Sequence, residues 1–122
     1  MVSSSSQGAA KKPTGREWKR RYPRYRIDLP LKATVLGPQG YYEVHGRSGD
    51  LGEGGLGAIF VSEIPQGEVI ALEMQLPSAG QLRVRGIVRY RKGLLHGMEF
   101  LALTEEQRQT VLQVCASATV ID

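Results

Sequence analysis

Cysteine is almost missing: Cys115 is the only one in 122 residues. A disulfide framework and a cysteine metal site are therefore excluded. Histidine is nearly as scarce. His45 and His96 stand far apart and lack metal-ligand spacing, so both read as surface or internally satisfied side chains. No apolar run approaches the length of a membrane span. The opening Met1-Val2-Ser3-Ser4-Ser5-Ser6 has no apolar segment of the secretory kind, so a cytoplasmic location without membrane contact is expected. No nucleophile–base pair, metal set or phosphate loop is visible, and an enzyme is not expected. The length suits one domain with a tail, enough for one core but not for a core plus a deep enclosed site.

What is present is unevenly charged. Through Pro30 there are eight Lys and Arg residues against Glu17 and Asp28, a net +6. The other 92 residues carry eight against ten Asp and Glu, a net −2. The basic character is local, which points to an anionic partner met by this arm. Its densest part is Arg20-Arg21-Tyr22-Pro23-Arg24-Tyr25-Arg26. Guanidinium groups are planar and permanently charged, and their forked donors suit phosphate oxygens and the O6/N7 edge of guanine. Residues 1–15, small, polar and basic, read as a disordered tail. Trp18, among the arm's charges, is expected to dock on the folded body.

The body follows. Leu31, Ala33 and Val35 alternate with Lys32 and Thr34 as a half-buried strand. Gly37-Pro38-Gln39-Gly40 is a turn into a second strand, Tyr41 to Gly49. Six glycines then crowd between Gly46 and Gly57. They imply positive φ angles and close approach of backbone to something. Strands resume over Leu56 to Val61 and Val69 to Leu76. Along Leu82 to Arg91, Leu82, Val84, Val88 and Tyr90 are expected on one face, and Arg83, Arg85, Arg89 and Arg91 on the other. Leu94 to Leu101 is the last strand. Thr104-Glu105-Glu106-Gln107 is a capping box opening a helix over 104–118, with Val111, Leu112, Cys115 and Ala118 as its apolar stripe. Cys115 there reads as a small buried residue rather than a nucleophile. Short strands with tight turns and one closing helix indicate an all-β antiparallel barrel or sandwich.

Arg20-x-x-x-Arg24, followed by Asp50-x-Gly52-x-x-Gly55, resembles the paired signature of PilZ domains, bacterial receptors for cyclic di-GMP. The family pattern is RxxxR, then Asp/Asn-x-Ser-x-x-Gly after the second strand. Leu29-Pro30-Leu31, Gly54-Gly55-Leu56-Gly57, Ile87-Val88-Arg89 and Gly97-Met98-Glu99-Phe100 are further echoes. The resemblance runs from about Lys19 to the helix. It implies a six-stranded antiparallel barrel with a C-terminal helix, preceded by a flexible basic arm that orders when ligand binds: arm 16–28, barrel 29–102, helix 104–118, all within a domain of residues 16–122. It also implies that the arm wraps over the barrel around cyclic di-GMP, taken singly or as a stacked pair.

The ligand-binding set so implied is Arg20, Arg24, Asp50, Gly52 and Gly55, with Lys19 and Arg21 beside the first arginine and Arg89 assisting. Arg20 and Arg24 suit phosphates or guanine, and Asp50 can accept from guanine N1–H and the exocyclic amine. Gly55 lets backbone approach the ligand closely. Gly52 departs from the family serine and offers only its N–H. It is expected to weaken binding rather than remove it, provided the position needs no positive φ. Two other readings stay open. One is a PilZ-like adaptor for an unknown downstream protein that no longer takes the ligand. The other is a small barrel binding single-stranded nucleic acid. Against the last, the body's aromatics are only Tyr41, Tyr42, Phe60, Tyr90 and Phe100, which make no stacking platform.

Overall fold

In the computed structural model, residues 21–78 and 80–121 are described. Eight elements follow one another: β1 (Tyr25–Arg26), β2 (Pro30–Gly37), β3 (Gly40–Gly52), β4 (Gly55–Phe60), β5 (Val69–Gln75), β6 (Gln81–Lys92), β7 (Leu95–Leu101) and α1 (Glu105–Cys115). The strand order is β1-β3-β2-β5-β6-β7-β4, and β4 pairs back onto β3. That last pairing closes six antiparallel strands into a barrel, with the short β1 added outside the ring. Closure leaves no free edge among the six.

The inward positions follow the alternation expected of β2 and β5. Leu31, Ala33 and Val35 are buried, as are Ile70, Leu72 and Met74, with polar neighbours turned outward. Leu56, Ala58 and Phe60 of β4 complete the filling with Met98 and Phe100 of β7. Helix α1 begins at its capping box: Thr104 Oγ1 accepts from Gln107 N–H, and the Gln107 side chain accepts from Thr104 N–H. It buries Val111 and Cys115. The helix is shorter than expected, ending at Cys115. Burial pushes the Cys115 thiol up to about 11, which keeps it protonated and unreactive. No helix among the described residues is long and apolar enough to cross a membrane.

Three expectations need correction. The glycine cluster is not where the backbone goes left-handed. Among the described glycines, positive φ falls at Gly40, Gly67, Gly80 and Gly93, all at turns. Every clustered glycine except Gly49 stands where a Cβ would crowd a neighbour, so the expected close approach holds and the expected dihedral role does not. Tyr90 does not share a face with Val88, because the β6–β7 register shifts between them and turns Tyr90 outward. Part of the arm is folded: β1 pairs with β3, and Tyr25 and Ile27 pack against the core. The tail of residues 1–15 lies outside the described residues.

His96 is fully buried, in edge contact with Phe60. Its Nε2 accepts from Ile64 N–H at 2.9 Å, and its Nδ1 lies 2.7 Å from the Leu94 carbonyl. Those partners require a neutral ring with the proton on Nδ1, and burial lowers its pKa below 6.5. Above that value the ring is neutral folded or unfolded. As pH falls through it, only the unfolded chain gains a proton, so stability declines. Denaturant unfolding at about pH 7.5 and about pH 5.5 should show this loss in the wild type and a smaller one in His96→Gln. Equal losses in both proteins would contradict the assignment.

Candidate functional site

Position 50 is aimed by an irregularity in β3. Ser48 stands opposite Ala58 and faces inward, whereas Asp50 stands opposite Gly57, so Gly49 is an extra residue in the ladder. Without it, strict alternation would put Asp50 inside with Ser48. The bulge turns the carboxylate out over Gly57. Oδ1 then accepts from Gly57 N–H at 3.1 Å and from Arg24 Nη1 at 2.7 Å. The Arg24 and Asp50 side chains are 13% and 24% exposed, so the pair is less screened than a surface pair.

The arm reaches this point because its backbone is held on two sides. Tyr25 pairs with Leu51 and Arg26 with Asp50 in β3. On the other side Arg26 N–H donates to the Thr119 carbonyl at 2.8 Å, and Ile121 N–H donates to the Arg24 carbonyl at 2.9 Å. The segment after α1 thus returns to sandwich the arm. Ser48 fixes the arm's exit: its Oγ accepts from Leu29 N–H and donates to the Ile27 carbonyl. Sequence reasoning missed Ser48 and residues 119–121, since neither carries a motif.

The motif glycines let these layers touch. A Cβ at Gly52 would lie 2.2 Å from the Pro23 carbonyl oxygen, and one at Gly54 would lie 2.8 Å from the Tyr22 ring. Gly52 has no positive φ, so the condition set on a serine there is met by the backbone. Space is what excludes the serine while the arm sits as it does. Gly55 is closed in by β7, with a Cβ 2.0 Å from the Met98 carbonyl oxygen. Barrel closure alone therefore accounts for that glycine.

Helix α1 braces the same hairpin. Arg108 Nη1 donates to Glu53 Oε2 at 3.1 Å, and Cys115 Sγ lies 3.7 Å from the Leu51 carbonyl. Arg21 lies over the Tyr22 ring at 5.9 Å. Arg89 pairs with Glu99, the residue opposite Gly55, and so borders the hairpin from the β7 side. Arg24, Asp50, Gly52 and Gly55 are brought together, and Lys19, Arg20 and Trp18 lie outside the described residues. Among the described residues, no group of three His, Cys, Asp or Glu is placed to hold a metal. The arrangement offers guanidinium, carboxylate acceptor and bare backbone: recognition chemistry for a polar anion.

The sequence profile of the PilZ domain matches residues 19–117, a span that takes in Lys19 and Arg20. Among solved structures, the chain is similar to the PilZ domain of YcgR from Escherichia coli with c-di-GMP. The TM-score is 0.68 at 18% identity, over 81% of this chain and 90% of that one. It is similar to the PilZ domain of CeSA from a cellulose synthesizing bacterium, with a TM-score of 0.60 at 14% identity, over 76% and 94%. It is also similar to the Bacillus subtilis inhibitor of motility MotI/DgrA, with a TM-score of 0.66 at 19% identity, over 80% of this chain. It spans 49% of that longer protein. No curated protein matches the chain.

Proposed function

The chain belongs to the PilZ domain family, and from that premise we propose that it is a receptor module for cyclic di-GMP, relaying the ligand's presence without chemistry of its own. The observation that supports this reading best is the convergence of arm and hairpin. Arg24 and Asp50, 26 residues apart, meet at 2.7 Å beside a backbone stripped of side chains. In the bound state Arg20 and Arg24 hold phosphates or guanine edges, and Lys19 and Arg21 add positive field beside them. Asp50 accepts guanine N–H groups through the oxygen that Arg24 and Gly57 do not use. Gly52 and Gly54 let the arm lie close on the hairpin, which holds Arg24 beside Asp50, and Arg89 borders the site.

Calorimetric titration with cyclic di-GMP tests the reading, with a single-stranded oligonucleotide as control. Saturable heat with the dinucleotide, at one or two molecules per chain, and none with the oligonucleotide is the expected result. A flat titration with cyclic di-GMP would leave the adaptor reading in its place. Two observations favour that alternative: Arg24 is already satisfied by Asp50, and Gly52 replaces the serine.

A further inference from the structure

The outer face of the barrel carries one register row that the motifs do not mention. Asp50 pairs with Gly57, Gly57 with Gly97, and Gly97 with Tyr90. Residues directly opposite one another across antiparallel strands project from the same face. The row therefore runs from a carboxylate, across two glycines, to an aromatic ring. Both ends are put there by bulges. Gly49 turns Asp50 outward, and the shift between Val88 and Tyr90 turns Tyr90 outward. Two independent irregularities in different strands thus serve one row.

Both end groups lean inward over the glycines. A Cβ on Gly57 would lie 2.8 Å from Asp50 Oδ2. A Cβ on Gly97 would lie 2.0, 2.4 and 2.6 Å from three adjacent atoms of the Tyr90 ring. Three such similar distances place the face of the ring, rather than its edge, over the Gly97 backbone. The residue is 47% exposed, so a large part of the ring is left to solvent. Neighbouring strands stand about 4.8 Å apart, so carboxylate and ring sit about one strand spacing from each other. In the next row Ile59 and Leu95 pair with each other and are exposed, which extends the apolar shelf.

We infer that Tyr90 is a ligand-contacting residue: its outer face seats one base of the bound dinucleotide while Asp50 takes that base's hydrogen-bonding edge. The inference rests on the receptor reading above and adds to it a contact and a selectivity. Stacking on an aromatic face tolerates any base. An ionised carboxylate accepts only, so it selects a base whose edge presents adjacent N–H donors. Guanine does so with N1–H and its 2-amino group. Adenine presents an acceptor at N1, which the carboxylate repels. Row and arm then divide the ligand, with the base on Tyr90 and Asp50 and the phosphates on the arginines.

Titrations of the full chain with cyclic di-GMP and cyclic di-AMP test this in the wild type, Tyr90→Phe and Tyr90→Leu. Leucine keeps Gly97 covered, so thermal melting of that variant should stay near wild type and report an intact fold. The expected result is near wild-type affinity for Tyr90→Phe and a loss of about tenfold or more for Tyr90→Leu. Cyclic di-AMP should bind the wild type far more weakly than cyclic di-GMP. Tyr90→Leu binding as tightly as wild type would overturn the inference and leave the receptor reading standing. A wild type that binds neither dinucleotide would overturn both.

Discussion

On the receptor reading, Arg24→Ala should lower affinity for cyclic di-GMP by about tenfold to a hundredfold while the barrel still folds. The residue lies outside the six strands of the ring, and its guanidinium meets the body at Asp50. Hydrogen bonds to a charged group contribute about 1.5–3 kcal/mol each, which sets the size of the loss. The fold should suffer less. Asp50 keeps its bond from Gly57 N–H, and enough of its carboxylate is exposed for water to replace the guanidinium. A cost near 1 kcal/mol corresponds to a melting shift of about 4–8 °C for a domain of this size. Titration alongside thermal melting checks both halves. Unaltered affinity with an altered melting point would make Arg24 a structural clamp and nothing more.

Gly55→Ala should act the other way, removing the fold before it touches the ligand. The added Cβ would lie 2.0 Å from the Met98 carbonyl oxygen, 3.0 Å from its carbon and 3.1 Å from Glu99 Cα. All three are backbone atoms of β7, which no rotamer change can move. The β4–β7 pairing must open, and with it the closure of the barrel. We expect a loss of about 3 kcal/mol or more, beyond the usual range for an oversized core substitution, and a melting temperature lower by more than about 12 °C. Gly49→Ala is the control. It lies three places from Gly52 in the same motif region, has no positive φ, and would meet nothing within 4 Å. It should melt near wild type. A similar collapse in both would show that the segment tolerates no side chain anywhere, whatever the local space.

These two substitutions show where the sequence was legible. Alternation in β2 and β5 is uninterrupted, so period two alone placed Leu31, Ala33, Val35, Ile70, Leu72 and Met74 inside. The helix start was legible because capping chemistry is local, within Thr104 to Gln107. The PilZ resemblance named Arg24 and Asp50, but no spacing rule says that residues 26 apart bond to each other. Beyond Ser48 and beyond Val88 the alternation changes phase, since a bulge adds one residue and leaves no mark in composition. Tyr90 was put on the wrong face for this reason, and the row it shares with Asp50 stayed hidden. The clustered glycines were read for positive φ and for close approach, and only the second holds. Which neighbour each meets, backbone at Gly46, Gly52 and Gly55 or side chain at Gly54 and Gly57, is supplied by the fold alone. His96 was read as a surface or internally satisfied side chain, and the second holds, but its partners, Ile64 N–H and the Leu94 carbonyl, are ordinary main chain that no motif marks.

The bond from Ile121 N–H to the Arg24 carbonyl joins points separated by almost the whole described chain. Contacts of such separation carry the largest loop-closure cost and are expected to form after the local hairpins and the helix have cut that loop down. The arm is therefore expected to take its place late in folding, once barrel and α1 stand ready to receive it. A partly folded chain has the arginines but no partner strand to align them. On the receptor reading, ligand would recognise only the finished molecule and by mass action would draw the last folding step to completion.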